Sequence, residues 1–127
     1  FKKEKKDFFI SKNNSQISYP IHLRLTTKNI DIISQNTYIA HFDYEKLIFP
    51  LKLRKWKNGD KFIPLGMNNF KKLSDFFIDE KYSKIRKEQQ WLLCSANDII
   101  WIVGSRIDDR YKVVSTTKKL YIAELLK

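Results

Sequence analysis

Residues 49–81 read FPLKLRKWKNGDKFIPLGMNNFKKLSDFFIDEK and decide the fold. Their first part alternates between apolar and mostly basic side chains, which predicts a half-buried strand. Two turns follow, at Asn58-Gly59 and at Pro64-Leu65-Gly66, because glycine tolerates positive φ angles that other residues resist. The residues beyond have the spacing of one buried helix face: Leu73, Phe76 and Phe77. We therefore predict a strand, two turns and a short helix.

Two lysines stand at the start of that predicted helix. Lys71 and Lys72 place positive charge where a helix already carries partial positive charge, which is unfavourable. A bound anion near this point would remove the conflict. The pair therefore indicates an anionic ligand.

Composition supports one domain with a polyanionic partner. The 127 residues include 25 basic and 14 acidic side chains, a net charge of +11. Such a balance favours nucleic acid, although a lysine-rich genome would produce it too. The single cysteine, Cys94, excludes an internal disulfide and fits a reducing compartment. No apolar run approaches a membrane span, and we expect a cytoplasmic location without membrane contact. The chain starts on Phe1, so we interpret it as a piece of a longer protein.

The rest of the chain predicts more strands than helices. We interpret residues 1–12 as a linker or the end of a preceding element, in which 8–10 could begin a strand, and residues 13–127 as one domain. Alternation predicts one continuous strand over 16–27, with Pro20 at an edge or bulge. Further strands are predicted at 31–34, 37–43, 91–95, 98–103 and 118–125, and a second short helix follows Ser83. The predicted fold class is α+β: a mostly antiparallel β-sheet system with two short central helices.

Catalytic chemistry has little support in this sequence. Asp60, Asp75 and Asp79 lie close in sequence, but nearby lysines offer them ion pairs and no histidine accompanies them. His22 and His41 are read as ordinary strand residues. With no glycine-rich phosphate loop and no nucleophile motif, we expect no catalytic residues and no metal site. A small metal-dependent hydrolase that uses the three aspartates is a remote alternative.

Binding has more support. Seven basic residues fall between positions 52 and 72 against Asp60 alone, and two aromatics are interleaved with them. Basic side chains contact phosphates, and exposed aromatics stack on bases or pack on ribose. The alternative is that the aromatics belong to the core and the lysines form a solvated rim. The candidate RNA-binding residues here are Lys52, Arg54, Lys55, Trp56, Lys57, Lys61, Phe70, Lys71 and Lys72.

Three more arginines extend the candidate RNA-binding set. Arg106 and Arg110 lie in one loop with Asp108 and Asp109, so each has either an RNA contact or an ion pair to make. Arg86, on the second predicted helix, could reach solvent or the basic cluster. These alternatives stay open at the level of sequence.

Several motifs together resemble the C-terminal domain of bacterial tRNA(Ile)-lysidine synthetase. They are R-K-W-x-x-G-D-K-F-x-P-L-G-M (54–67), K-K-L-S-D-F-F-I-D-x-K (71–81), W-L-L-C-S (91–95), I-I-W-I-V-G-S-R-I-D-D-R-Y-K (99–112) and T-K-K-L-Y-I (117–122). The similarity covers roughly residues 38–125. A single G-D or P-L-G would be weak evidence, but this ordered set is specific.

The resemblance implies a function and a division of labour. A full enzyme of this family is an ATP-dependent ligase that joins lysine to the wobble cytidine of an isoleucine tRNA. The resemblance places ATP and Mg²⁺ in its missing core and implies no cofactor in this chain. It assigns this domain to binding the tRNA body on the acceptor-stem side, away from the chemistry. A structural domain for self-association, as a homodimer, is the alternative role.

Overall fold

Three antiparallel sheets organise residues 6–29, 33 and 35–127, which are the residues that the structure, a computed structural model, describes. The larger sheet has the order β1-β5-β8-β9-β10, the second sheet β2-β3-β11-β4, and β6 and β7 form a two-stranded ribbon. The strands are β1 (Phe8–Ile10), β2 (Gln16–Ile17), β3 (His22–Asn29), β4 (Ile39–Asp43), β5 (Leu51–Lys55), β6 (Lys61–Phe62), β7 (Lys71–Lys72), β8 (Trp91–Ser95), β9 (Asp98–Ile102), β10 (Arg106–Ile107) and β11 (Lys119–Leu126). The helices are α1 (Leu73–Asp79) and α2 (Lys84–Gln89), with 3₁₀ turns at Tyr44–Lys46 and Asp109–Tyr111. The α+β prediction is confirmed.

The five-stranded sheet is covered on both faces. One face packs on the four-stranded sheet, and the core between them includes Leu53, Trp101 and Tyr121. The other face packs under α1 and the ribbon, where Leu92 and Phe77 are buried. Strand β9 carries buried residues on both sides for this reason, and its run of apolar residues reflects that double burial. Each large apolar side chain buried in this way contributes about 1.5–3 kcal/mol to folding.

The strand, the two turns and the helix predicted within residues 49–81 are all present, and the structure adds the ribbon of β6 and β7, which the sequence did not predict. Strand β5 ends at Lys55, and the two turns carry Gly59 at φ +92° and Gly66 at φ +87°. Helix α1 buries Leu73, Phe76 and Phe77 toward the five-stranded sheet. The second helix begins after Ser83, whose hydroxyl accepts a hydrogen bond from the Arg86 amide, as its capping role requires.

The continuous strand predicted over residues 16–27 is wrong. Strands β2 and β3 are separate and pair with each other as a hairpin, with Ile17 opposite Leu23. Directly opposed residues point to the same face, and Ile17 and Leu23 are six positions apart, so the two-residue alternation keeps its phase through the reversal. Pro20 lies in that turn, after a cis peptide bond, and does not lie in a strand.

Two predicted segments need separate mention. The strand predicted at 31–34 lies outside the described residues except for residue 33, which is in no strand. Residues 8–10, on the far side of the predicted boundary at residue 13, form β1 and pair with β5, burying Ile10 completely. In the described residues, no helix is long and apolar enough to cross a membrane.

Candidate nucleic-acid interface

Two lysines face each other across the ribbon. Lys61 of β6 and Lys72 of β7 are directly paired in register, so their exposed side chains leave the same face. Neither ammonium group forms an ion pair with a carboxylate of the described residues. Like charges directly opposite each other destabilise a strand pair. An anion held between them would turn that repulsion into attraction.

Phe70 joins the ribbon to a second source of positive charge. Its ring is 50% exposed, and the Lys61 Nζ lies 4.5 Å from the ring centroid. The Arg110 guanidinium carbon lies 5.1 Å from the same centroid. Each such cation–π contact contributes about 0.5–1 kcal/mol at an exposed site. The predicted aromatic therefore stands at the surface, between two cations.

Arg54 and Asp60 form a closed corner beside the ribbon. The guanidinium donates two hydrogen bonds to the carboxylate, at 2.8 and 3.0 Å, and the Lys57 amide donates a third at 2.8 Å. The two side chains are only 13% and 8% exposed. The hydrogen bonds to Asp60 raise the pKa of Arg54, against the opposing effect of burial. Arg54 was predicted to contact RNA. In the structure its guanidinium binds Asp60 and stabilises the turn at Gly59.

Trp56 is half-buried and lines a small cleft. Its indole meets the Phe77 ring edge-on, with centroids 5.1 Å apart, so the apolar core holds it in place. Trp56 also borders a cavity of about 260 Å³. The lining residues are Trp56, Asn58, Gly59, Asp60, Lys72 and Ser74. Sequence offered burial and exposure as alternatives for Trp56, and the structure shows a share of each.

A set of hydrogen bonds, which we call the clasp, joins residues 63–66 to residues 107–109. The Ile63 amide donates to the Asp108 carboxylate at 2.9 Å, and the Gly66 amide donates to Asp109 at 2.9 Å. Backbone bonds from Leu65 to the Ile107 carbonyl and from Asp109 to the Ile63 carbonyl complete it, at 3.1 and 2.7 Å. The clasp holds the segment that follows Lys61 against the segment that contains Arg110, so the two basic regions form one surface.

Arg110 forms ion pairs within this surface. Its guanidinium donates to both oxygens of the fully buried Asp108, at 3.0 and 2.9 Å, and lies 3.3 Å from Asp98. The pKa of Arg110 is raised by the hydrogen bonds to Asp108. The Lys112 ammonium and the Gly66 amide lower the pKa of Asp109 in the same way. The sequence left an ion pair and an RNA contact open for Arg110, and the structure shows the ion pair.

Three of the residues predicted to contact RNA form contacts with other parts of the domain. The Lys52 ammonium is 3.9 Å from Asp7, and Lys55 donates to the Glu88 carbonyl at 2.6 Å while lying over the Trp91 ring. Arg86 stacks over Tyr82 at 3.8 Å.

Lys71 and Lys57 are the remaining predicted RNA-binding lysines near the ribbon. Lys71 pairs with the Asp79 carboxylate across α1 and so has its own acid. Lys57 is exposed at the start of the turn and contacts Asp60 through its backbone: its amide donates to the Asp60 carboxylate at 2.8 Å, and its carbonyl accepts from the Asp60 amide at 3.1 Å. The two lysines predicted as a pair therefore differ: Lys71 has an acidic partner, and Lys72 has none among the described residues.

Arg106 borders a different cavity. A space of about 360 Å³ lies between β4 and β10, lined by Arg106 together with Ile39, His41 and Trp101, among others. It is larger than the cleft at Trp56 but contains neither lysine of the ribbon. Burial and the charge of Lys28 lower the pKa of His41, which is 7% exposed in β4.

The acidic side chains do not gather into a metal site among the described residues. Asp60 is bound by Arg54, Asp79 by Lys71, and Asp75 is exposed on α1. Cys94 is 2% exposed in β8, and burial raises the pKa of its thiol to about 11. These positions match structural roles.

Two polar residues of the cleft were not singled out from sequence. The sequence places Asn58 in a predicted turn and gives Ser74 no role of its own. Their shared feature is spatial: the Leu73 amide donates to the Asp60 carbonyl at 2.9 Å and draws the turn against α1. A signal for the cleft would require knowing that segment K-N-G-D (57–60) packs against segment K-K-L-S (71–74). No periodicity in the sequence links these two segments.

Comparison with known proteins gives the family. The sequence model of the TilS substrate C-terminal domain matches residues 51–123. A protein named tRNA(Ile)-lysidine synthase from Parabacteroides distasonis is 47% identical over 98% of this chain and 29% of its own length. The synthase of the same name from Clostridium tetani is 36% identical over 93% of this chain and 26% of its length. The chain thus spans between a quarter and a third of these two relatives.

A solved structure supports the fold. It is described as the crystal structure of the TILS C-terminal domain, and it superposes with a TM-score of 0.77 over 96% of this chain and 99% of that one. At 16% identity this likeness concerns the fold alone. Since the family model covers more than half of the residues, the chain belongs to the TilS substrate C-terminal domain family.

Proposed function

We propose that this domain binds the body of isoleucine tRNA for a tRNA(Ile)-lysidine synthase and is not itself catalytic. The observation that carries the proposal is the pair Lys61 and Lys72, which face each other with no carboxylate of the described residues beside them. Phe70 lies beside Lys61 on the same surface, and Arg110, whose charge is already paired with Asp108, packs against the Phe70 ring. The sugar–phosphate backbone of a folded RNA supplies anions in a continuous line, and phosphate contacts position a protein on it.

The proposed contact is with a helical stem. Stems are recognised through shape, phosphates and 2′-hydroxyls more than through base edges, and lysines on a rigid ribbon suit that mode. The resemblance points to the acceptor-stem side. Contacts there would add discrimination that a pocket around the anticodon loop lacks.

The chemistry is assigned to the rest of the enzyme. In this proposal, that part uses ATP and Mg²⁺ to activate the wobble cytidine and joins lysine to it, in the cytoplasm where tRNA is processed. The described residues offer the domain no acid cluster for such a reaction. This chain contributes affinity and register.

A salt titration of two transcripts, isoleucine tRNA and methionine tRNA, tests the proposal. We expect the logarithm of the affinity of this domain to fall linearly with the logarithm of salt concentration, because bound lysines release counterions. Tighter binding of isoleucine tRNA would place part of the specificity here. Equal binding would make the domain a general electrostatic contact, and no binding at low salt would refute the proposal.

Self-association is the second candidate, and two exposed apolar residues favour it. Ile78 on α1 and Ile85 on α2 are 72% and 66% exposed. An apolar dimer would be insensitive to salt, unlike an RNA complex. Sedimentation equilibrium at low and high salt separates the two candidates. A monomer at all concentrations would exclude this one.

A further inference from the structure

We infer that the cleft at Trp56 receives one sugar–phosphate unit of the RNA and reads its 2′-hydroxyl group. The inference rests on the proposed function and names a ligand group for the same surface. It assigns Asn58 and Ser74 as specificity residues, Lys72 as the phosphate contact and Trp56 as the apolar wall.

The size of the cleft limits its occupant. Pockets that hold a whole small ligand measure about 300–1,000 Å³, and this one is about 260 Å³. A cleft just below that range suits one backbone unit, a ribose with its phosphate, better than a complete extruded nucleotide. The occupant is therefore a unit of backbone, with its base left in the stem.

Charge in the cleft favours an anion. Asp60 is the one acid among the lining residues, and Arg54 neutralises it through two hydrogen bonds. Lys72 has no carboxylate partner in the described part of the chain, and Lys61 stands opposite it on the ribbon. The cleft thus presents net positive charge where a phosphate would enter.

Two polar side chains in the cleft are uncommitted. The Asn58 amide and the Ser74 hydroxyl are exposed, and neither side chain bonds to another described residue. Other small polar residues near turns behave differently: the Asn14 carbonyl oxygen and the Ser83 hydroxyl each accept from a nearby amide. Asn58 and Ser74 can therefore donate to and accept from a ligand.

A ribose hydroxyl matches this arrangement. The 2′-hydroxyl is both donor and acceptor, and an amide or a hydroxyl can satisfy either role. The indole of Trp56 is fixed by Phe77 and offers a flat apolar surface for the sugar. Lys72, Asn58 and Ser74 line the same cleft, so a nucleotide whose phosphate binds Lys72 places its ribose beside the two polar groups. Deoxyribose would leave them without a partner.

The test compares two acceptor-stem minihelices of one sequence, one with ribose and one with 2′-fluoro sugars, which keep the A-form but lose the hydroxyl donor. We expect the unaltered domain to prefer ribose by about three- to tenfold, the value of one or two net hydrogen bonds. Asn58→Ala combined with Ser74→Ala should abolish that preference and leave the salt dependence unchanged. Ser18→Ala, at an exposed serine between β2 and β3, is the matched control and should keep it.

Each outcome decides one question. A wild-type domain that binds both minihelices equally, or a double variant that retains the preference, overturns the inference while the proposed function stands. Absence of salt-sensitive binding to either minihelix overturns the proposed function as well. Ser74→Ala alone, at an exposed helix position that tolerates alanine, repeats the test if the change at Asn58 disturbs the turn.

Discussion

The corner of Arg54 and Asp60 and the ribbon of Lys61 and Lys72 lie within twenty residues of one another and use basic side chains in opposite ways. In the corner, the arginine is nearly buried and bound to a carboxylate through two hydrogen bonds. On the ribbon, two exposed lysines face each other with no acid of the described residues to join them. One arrangement stabilises the fold, and the other opposes it slightly.

The difference shows how a basic run divides into structural and binding charges. A cation that a carboxylate already satisfies gains little from a phosphate, because the new contact must replace the old one. A cation that faces another cation gains both the phosphate contact and relief from repulsion. We therefore place RNA affinity mainly on the ribbon and assign stability to the corner.

Asp60→Ala should produce the largest effect. It leaves the mostly buried Arg54 charge without its carboxylate, with only the Lys55 carbonyl as an acceptor, and removes the acceptor of the Lys57 amide. The free energy of unfolding should therefore fall by about 3 kcal/mol. Urea denaturation measures it. Asp75→Ala, at an exposed acid on α1, is the control and should change stability by less than about 0.5 kcal/mol. A loss below about 1 kcal/mol in Asp60→Ala would show that the corner is not a structural charge pair.

Cys94 reports whether the corner region is closed. With its pKa raised to about 11 by burial, the thiol at pH 8 should carry about a hundredfold less thiolate than an ordinary cysteine. Ellman's reagent should therefore react very slowly with the folded domain and with one equivalent after unfolding in urea. Rapid reaction of the folded protein would mean that β8 opens readily beneath α1.

Lys61→Ala combined with Lys72→Ala should weaken tRNA binding on the order of tenfold at low salt and reduce the salt slope by about 2. Its stability should stay the same or rise slightly, since a repulsive pair is removed. Lys12→Ala combined with Lys118→Ala removes the same charge from other exposed positions and serves as control. Equal losses in both double variants would mean that affinity follows net charge and not the ribbon.

Lys71→Ala combined with Lys72→Ala makes a narrower comparison. Because Lys71 has Asp79 as its partner, most of the loss of affinity should come from Lys72. Single variants measured side by side at low salt check this expectation. An equal loss at Lys71 would show that its ion pair opens for RNA.

Gly66→Val should lower stability by less than Asp60→Ala, by about 1–2 kcal/mol, mainly through backbone strain. A Cβ at this glycine meets no atom within 4 Å, but its φ of +87° is strained for any side chain. Denaturation of the variant beside Gly66→Asn, which tolerates the left-handed region better, separates conformational strain from the loss of the clasp. Identical losses would exclude strain as the cause.

Local patterns in the sequence were sufficient for most of the fold. The turns at Gly59 and Gly66, the buried stripe of α1 and the cap at Ser83 each depend on a few adjacent residues. The hairpin of β2 and β3 escaped prediction because Ile17 and Leu23 share a face either way, so periodicity alone cannot detect the reversal.

The site was less accessible to sequence reasoning. Composition identified a basic surface but could not say which cations have acids, since Arg110 and Asp98 meet only through the fold. The cleft depends on a turn and a helix that come together, which made Asn58 and Ser74 look ordinary. Whether the twelve predicted residues contact RNA stays a prediction.

The clasp has a consequence for the local opening of this surface. Amides of Ile63, Leu65, Gly66 and Asp109 donate across two loops that are more than forty positions apart, so one loop cannot open without releasing the other. Their protons should exchange with solvent together, as one cooperative unit. A ligand bound to the ribbon would then slow amide exchange as far away as residue 109. The effect at that distance would be on local stability, without a change of conformation.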